Sequence, residues 1–137
     1  MLNFDPNHDY SKYNILAVDD IPLNLVLVQK MLSRFQFEIR TASNGQQALD
    51  AVAERKPDLI LLDLMMPGID GFEVIKRLRQ DPATADIRIV ILSALNSNED
   101  VVKGFDLGAN DFIMKPIIME KLFNSVATQL QFVESKD

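Results

Sequence analysis

Five short apolar runs, separated by stretches with helical spacing, constrain the fold of this chain most strongly. We predict strands over 14–19, 37–42, 58–63, 88–93 and 111–115, and helices over 22–36, 45–55, 71–80, 98–107 and 117–132. Strands that alternate with helices of this length form βαβ units, which build a parallel sheet with helices on both faces. The sequence therefore predicts a doubly wound α/β domain with five strands and five helices.

Residues that start or stop helices support these boundaries. Pro22 suits a first helical turn, because its fixed φ is helical and it lacks only an N–H that would have no partner there. Asn44 has the side chain of a typical N-cap. Asp81 precedes a proline and therefore avoids the helical region, and Gly108 can adopt the left-handed conformation that closes a helix.

The second strand differs from the other four. Residues 38–42 alternate polar and apolar side chains and lead to no reactive residue. Such alternation fits an edge strand better than a buried parallel strand. In the flavodoxin-like strand order 2-1-3-4-5 the second strand is an edge, and the ligand-binding switch point lies between strands 1 and 3. We therefore predict this order.

Length and composition fit a single globular domain of 137 residues, 47% of them hydrophobic. We assign residues 14–133 to the domain, 1–13 to an N-terminal extension and 134–137 to a C-terminal tail. The net charge of −6 argues against direct binding of nucleic acid, and the absence of cysteine beside a single histidine, His8, argues against zinc. The sequence contains neither an apolar run of membrane-spanning length nor a signal peptide, so we expect no membrane association and a cytoplasmic location.

Four strands lead into chemically reactive residues, namely Asp19 with Asp20, Asp63, Ser93 and Lys115. Ligands bind outside the carboxyl ends of the strands in such a sheet, so we expect these side chains to converge. Each alone is as well explained by a helix cap, a turn or a solvated charge. Three carboxylates at one edge repel each other, however, and a divalent cation relieves this repulsion. Oxygen ligands favour Mg²⁺, for which Mn²⁺ can substitute.

Four motifs follow one another along the chain: Val18-Asp19-Asp20, Leu62-Asp63-Leu64-Met65-Met66-Pro67-Gly68-Ile69-Asp70-Gly71, Ser93-Ala94, and Gly108-Ala109-Asn110-Asp111-Phe112-Ile113-Met114-Lys115-Pro116. In order and spacing the chain resembles the receiver (CheY-like) domain of two-component response regulators, over residues 14 to about 132. The resemblance implies a phosphorylation-dependent signalling switch. It also implies that the domain catalyses only its own phosphorylation and dephosphorylation.

The resemblance further implies a role for each aspartate. Asp63 would be the phosphoacceptor, whose carboxylate attacks phosphorus to form an aspartyl phosphate. Asp20, Asp63 and the backbone carbonyl of Met65 would bind Mg²⁺ directly, and Asp19 would contribute through a water molecule. Phosphoryl transfer requires mainly positioning and charge neutralisation, which such a site provides.

The remaining motif residues would stabilise and report the phosphoryl group. Ser93, where threonine is commoner in the family, would donate a hydrogen bond to it and move toward it on activation. Lys115 would pair with Asp63 and then with a phosphoryl oxygen, and the Lys115–Pro116 peptide would be cis. Phe112 stands where tyrosine is commoner, and its ring either reports the state of the site or is ordinary core.

The implied partners are a sensor histidine kinase or histidine phosphotransfer protein as donor, and a downstream effector on the face formed by helix 4, strand 5 and helix 5. Helical spacing assigns the first helix a buried face of Leu25, Leu27, Val28, Met31, Leu32 and Phe35. Leu23 and Val26 fall on the polar side, close to Asp20. We predict that they form a small hydrophobic docking patch for the donor. The alternative is that isolated surface apolar residues have no role.

Two other functions match part of the pattern. A Mg²⁺-dependent phosphohydrolase of the haloacid dehalogenase type would carry a second aspartate two residues after its nucleophile, where this chain has Met65. A flavodoxin-like electron carrier needs a phosphate loop rich in glycine and hydroxyl groups after the first strand. Asp19 and Asp20 would repel a flavin phosphate at that place.

Overall fold

The computed structural model of this protein describes residues 9–95 and 97–133. Most of the predicted N-terminal extension, with His8, and the predicted tail 134–137 therefore lie outside the described residues. The strands are β1 (Asn14–Val18), β2 (Glu38–Ala42), β3 (Leu59–Leu62), β4 (Arg88–Ser93) and β5 (Asp111–Met114). The α-helices are α1 (Pro22–Leu32), α2 (Gly45–Glu54), α3 (Gly71–Gln80), α4 (Asn98–Leu107) and α5 (Met119–Gln131), with 3₁₀ turns at Tyr10–Lys12 and Ser33–Phe35.

Two helix boundaries differ from the sequence prediction. The α-helical part of α1 ends at Leu32 instead of residue 36, because the last residues tighten into a 3₁₀ turn that closes at Gln36 with a left-handed φ of 62°. Helix α5 begins at Met119 instead of residue 117, because Ile118 is still extended. The predicted cap of α2 is confirmed, since the Gln47 N–H donates to the Asn44 side chain at 2.8 Å.

The five strands form one parallel sheet in the order β2-β1-β3-β4-β5, which confirms the predicted order. Val18 of β1 pairs with Leu62 of β3, so these two neighbouring strands end at the same level. Every residue of β1 and β3 is buried, whereas only Ala42 of β2 is buried, as expected for an edge strand. Within the described residues, no helix combines the length and apolar composition required to cross a bilayer.

The core has two layers, one on each face of the sheet. Alternate residues of β1 separate between them: Ile15 packs in the layer shared with α1 and α5, and Leu16 in the layer shared with α2 and α3. On the first side, Tyr10 of the N-terminal extension packs against Phe37, with ring centroids 5.5 Å apart. The described end of the extension is thus anchored to the domain.

The buried face of α1 is narrower than predicted. Leu25, Val28 and Leu32 are buried, but Leu27 is 44% exposed, so its assignment to the buried face is wrong. The physical reason is that only a stripe of residues spaced three and four apart faces the sheet, and Leu27 lies at its margin. The surface of α1 is therefore more apolar than the sequence suggested.

Candidate functional site

The aspartates that follow β1 and β3 come together beyond the carboxyl ends of these strands. The Asp63 N–H donates to the carbonyl of Val18 at 3.0 Å, which continues the β1–β3 ladder as far as the site. Carboxylate oxygens of Asp19, Asp20 and Asp63 all lie within 4.8 Å of one another. Asp19 and Asp63 are only 6% and 5% exposed, while Asp20 is exposed. Three carboxylates thus lie together at one edge of the sheet, and the Asp20 carboxylate is the one exposed to solvent.

Lys115 reaches the same place from the loop after β5. Its backbone N–H donates to the carbonyl of Ser93 at 2.8 Å, which ties this loop to the end of β4, and the Lys115–Pro116 peptide is cis. The Lys115 ammonium lies 2.7 Å from Asp19 Oδ2 and 3.5 Å from Asp63 Oδ2. The resemblance implied pairing with Asp63, but the shorter contact is to Asp19. One ammonium is shared between two buried carboxylates.

The electrostatic balance at Asp63 favours a cation. Burial raises the pKa of Asp63 above its usual range, and the nearby Asp19 charge acts in the same direction. The Lys115 ammonium and the Met65 N–H, which donates to Asp63 Oδ1 at 3.3 Å, oppose this shift without cancelling it. The positive charge near Asp63 is therefore insufficient to offset the cost of burying its ionised carboxylate.

The donor set fits a hard divalent cation. Within the described residues it consists of carboxylate oxygens from Asp19, Asp20 and Asp63, with no nitrogen or sulfur ligand in the cluster. Mg²⁺ and Mn²⁺ prefer such all-oxygen sites. A divalent charge would also offset the carboxylate repulsion that a single lysine leaves in place.

Asp19 is held by more donors than the sequence revealed. The Ile21 N–H donates to Asp19 Oδ1 at 2.9 Å, and Asn24 Nδ2 donates to Asp19 Oδ2 at 3.1 Å. Sequence analysis missed Asn24. The available signal was a polar amide in the otherwise apolar first turn of α1, five residues after Asp19.

The other predicted positions lie around this cluster. Ser93 is fully buried at the end of β4, and its hydroxyl accepts a hydrogen bond from the Leu95 N–H at 3.2 Å. The Met65 side chain is 54% exposed at the rim. Phe112 is half-buried and packs with the core layer of α2 and α3, next to Gly104 of α4.

A patch of exposed apolar side chains lies on α1 next to the aspartates. Leu23 is 65% exposed and Val26 is 44% exposed. Ile21, the N-cap residue of α1, and Leu27, near the middle of the helix, are also exposed. We call these four residues the α1 patch.

Two contacts that the sequence did not disclose fix the backbone around the site. Helix α3 begins so close to the strand end that a Cβ atom on Gly71 would lie 2.5 Å from the Asp63 carbonyl oxygen. The Arg79 guanidinium donates to the carbonyl oxygens of Gly108 and Ile87 and to Asn110 Oδ1, at 3.0, 2.6 and 3.0 Å. It thereby holds the segment that leads into β5 and on to the lysine.

Comparisons with known proteins agree with this geometry. Response regulator PleD of Caulobacter vibrioides is 43% identical over 118 residues, which are 86% of this chain and 26% of that protein. The DNA-binding dual master transcriptional regulator RpaA of Synechocystis is 39% identical over 117 residues, 85% of this chain and 48% of that protein. This chain thus spans half or less of the length of these relatives.

A solved structure and a family model agree with these relatives. The signal receiver domain of a signal transduction histidine kinase from Syntrophus aciditrophicus superimposes with a TM-score of 0.83 at 30% identity, covering 91% of this chain and 95% of that one. The family described as the response regulator receiver domain matches residues 15–127. The match favours this interpretation over the phosphohydrolase and the electron carrier. With its parallel sheet, its aspartates at the switch point and these matches, the chain belongs to the receiver domain family of two-component response regulators.

Proposed function

We propose that this receiver domain accepts a phosphoryl group on Asp63 from a phosphohistidine donor, with Mg²⁺ bound, and thereby changes its affinity for a downstream partner. The observation that carries the proposal is the position of Asp63. Its carboxylate is buried at the switch point between β1 and β3, within 4.8 Å of two further carboxylate oxygens and 3.5 Å from the Lys115 ammonium.

The residues of the chain supply most of what the transfer requires. An oxygen of Asp63 attacks phosphorus, the new P–O bond forms as the P–N bond to the donor imidazole breaks, and the imidazole nitrogen keeps the electron pair and takes up a proton. Lys115 moves from Asp19 to a phosphoryl oxygen and neutralises its charge. Ser93 turns its hydroxyl from the Leu95 N–H to donate to the phosphoryl group.

Asp20, Asp63 and the carbonyl of Met65 would hold the metal directly, with Asp19 acting through water. When bound, the metal would supply positive charge that offsets the repulsion between the Asp63 carboxylate and the incoming phosphoryl oxygens. The domain catalyses only its own phosphorylation and the hydrolysis of its own phosphoaspartate. These roles make it a regulatory element that does not turn over a diffusible substrate.

The experiment that tests the proposal is incubation of the full chain with acetyl phosphate, with and without Mg²⁺, followed by intact-mass measurement. We expect one phosphoryl group per chain, only with Mg²⁺, and none on the Asp63→Asn protein. Asp106→Asn is the matched control, because Asp106 is an exposed aspartate on α4, outside the carboxylate cluster. Stoichiometric labelling of Asp63→Asn would refute the assignment.

The α1 patch is our candidate for donor docking, with Leu23 and Val26 at its centre. Its apolar side chains lie at the end of α1 nearest Asp20, where a donor must approach to reach Asp63. Exposed apolar groups that adjoin one another are typical of protein contacts. The proposed donor is a sensor histidine kinase or a histidine phosphotransfer protein.

The docking proposal separates protein donors from small-molecule donors. Leu23→Asp combined with Val26→Asp should greatly slow transfer from a phosphohistidine protein while acetyl phosphate labelling continues, because the carboxylate cluster is untouched. Val102→Asp with Phe105→Asp is the control, since both residues are exposed and apolar but lie on α4. Equal loss with both donors would indicate a damaged fold, and no loss with the protein donor would place the docking surface elsewhere.

The downstream partner is proposed to bind the face of α4, β5 and α5. Exposed apolar side chains occur on or next to each of these elements, among them Val102, Phe105, Met114 and Met119. The half-buried Phe112 ring connects this face with the core and is the candidate switch residue beside Ser93. The net charge of −6 supports the proposal that this domain makes no direct contact with nucleic acid. The further proposal that it acts in the cytoplasm, without contact to membranes, rests on the lack of an apolar run of membrane-spanning length and of signal-peptide features in the given sequence.

A further inference from the structure

Asp19 receives three hydrogen bonds, and they are divided unequally between its two oxygens. Oδ1 accepts from the Ile21 N–H at 2.9 Å. Oδ2 accepts from both Asn24 Nδ2 at 3.1 Å and Lys115 Nζ at 2.7 Å. Because Asp19 is only 6% exposed, bulk water is a poor replacement for a protein donor that leaves.

The proposed function requires one of these donors to leave. Lys115 must release Asp19 Oδ2 to reach a phosphoryl oxygen on Asp63, whose Oδ2 atom lies 3.5 Å from the ammonium. Asp19 then keeps the Ile21 N–H on one oxygen and the Asn24 amide on the other. Without Asn24, Oδ2 of a buried carboxylate would have no protein donor among the contacts described here, and the lysine would be held more firmly where it is.

The local structure of α1 directs the Asn24 amide to this task. The helix starts at Pro22, and its N-cap Ile21 provides no side-chain hydrogen bond to the first turn. The backbone N–H of Asn24 donates to the carbonyl of Ile21 at 3.0 Å, which fixes the position of the residue. Its side chain turns back to Asp19, so the amide serves the site while the helix end itself goes without a side-chain cap.

We infer that Asn24 is a positioning residue for phosphoryl transfer: its amide holds Asp19 in place and so allows Lys115 to transfer to the phosphoryl group. The inference rests on the proposed function. A neutral amide suits this role, because it donates to Asp19 without changing the net charge of the site. An aspartate at the same position would have the same shape but would repel Asp19 and compete for the ammonium.

The test is the rate of acetyl phosphate labelling of the full chain across a range of Mg²⁺ concentrations. Variants are Asn24→Ala and Asn24→Asp, with Gln29→Ala as the control, because Gln29 is an exposed amide on the same helix. Urea unfolding without metal is measured for all four proteins. These data separate the maximal labelling rate, the Mg²⁺ concentration at half-maximal rate and the stability of the fold.

We expect Asn24→Ala to lower the maximal labelling rate about tenfold, the equivalent of one hydrogen bond to a charged group. The half-saturating Mg²⁺ concentration should change less than threefold. The unfolding midpoint should lie no more than about 0.5 M below that of Gln29→Ala, because Lys115 still donates to Asp19 Oδ2 in the unphosphorylated protein. Asn24→Asp should be at least as slow as Asn24→Ala. A merely structural role would instead shift the unfolding midpoint and spare the maximal rate of the folded protein.

Labelling of Asn24→Ala or Asn24→Asp within twofold of the wild-type maximal rate overturns the inference and leaves the proposed function intact. A loss of labelling rate that is fully explained by a lower unfolding midpoint, or by a higher half-saturating Mg²⁺ concentration alone, also overturns the inference. A wild-type protein that acquires no phosphoryl group on Asp63 refutes the proposed function and the inference with it. The two failures are therefore distinguishable in one experiment.

Discussion

Arg79 is expected to contribute more to stability than any surface arginine on the same helix. Its guanidinium donates to the carbonyl oxygens of Gly108 and Ile87 and to Asn110 Oδ1, in three partly buried hydrogen bonds of 3.0, 2.6 and 3.0 Å. A fourth bond, to the exposed carbonyl of Ala85, can be replaced by water. Loss of Arg79 leaves the carbonyl oxygens of Gly108 and Ile87 without this donor, whereas Asn110 Oδ1 keeps a hydrogen bond from the Ile89 N–H at 2.8 Å.

The magnitude follows from these three bonds. A hydrogen bond to a charged group contributes about 1.5–3 kcal/mol, but burial lowers the pKa of Arg79, which shows that this cation is partly desolvated. We therefore use about 1 kcal/mol per bond, the value typical of neutral pairs. Arg79→Ala should lower the free energy of unfolding by about 3 kcal/mol, and Arg79→Lys should recover less than half, because an ammonium lacks the planar fork of donors.

Arg77 is the matched control two residues earlier on α3. Its guanidinium pairs with Glu73 at 2.9 Å, and both side chains are close to half exposed. Such i,i+4 surface pairs contribute about 0.3–0.5 kcal/mol. Arg77→Ala should therefore change the free energy of unfolding by less than about 1 kcal/mol.

Urea unfolding followed by circular dichroism measures the difference. With an m-value of about 2 kcal/mol/M, Arg79→Ala should lower the unfolding midpoint by about 1.5 M relative to wild type. Arg77→Ala should lie near wild type. If the two alanine variants unfold within about 0.3 M of each other, which is about a fifth of the expected shift, the partly buried bonds do not carry this stability.

Three further predictions concern the site and its supports. Because burial raises the pKa of Asp63, its ionised form destabilises the metal-free fold. Asp63→Asn should therefore raise the urea unfolding midpoint in EDTA near neutral pH. This gain should shrink as the pH falls toward 3.8, the usual pKa of an aspartate. The apolar Leu95 and Met65 side chains cannot orient a water for hydrolysis, so the phosphoaspartate should decay slowly for this family; a half-life of a few seconds, or an unchanged rate in Leu95→Glu and Met65→Asn, would contradict this. Gly71→Ala should destabilise the fold by about 2 kcal/mol or more, because its Cβ would lie 2.5 and 2.7 Å from backbone atoms. Gly104→Ala should stay within about 1 kcal/mol of wild type in urea unfolding, because its Cβ would meet only the end of a flexible side chain and alanine has the higher helix propensity.

The sequence by itself determined the architecture and the composition of the carboxylate cluster. Apolar runs and helix caps are local patterns, so they predicted all five strands and five helices of the described residues, most of them to within one residue. The alternation in residues 38–42 identified the edge strand and with it the strand order. Once the order is known, the carboxyl ends of adjacent parallel strands must meet, which brings Asp19, Asp20 and Asp63 together.

Only the tertiary structure decided which partners these groups choose. Lys115 and Asp19 are 96 residues apart in the chain, and no local pattern shows that the ammonium lies closer to Asp19 than to Asp63. The hydrogen bonds of Asn24 and Arg79 depend in the same way on the packing of separate elements, as does the exposure of Leu27. Periodicity indicates which face of an element is apolar. It does not determine how wide the buried stripe is or which of two competing hydrogen-bond partners is nearer. These differences depend on distances of less than an ångström, which are set only when helices and loops pack together.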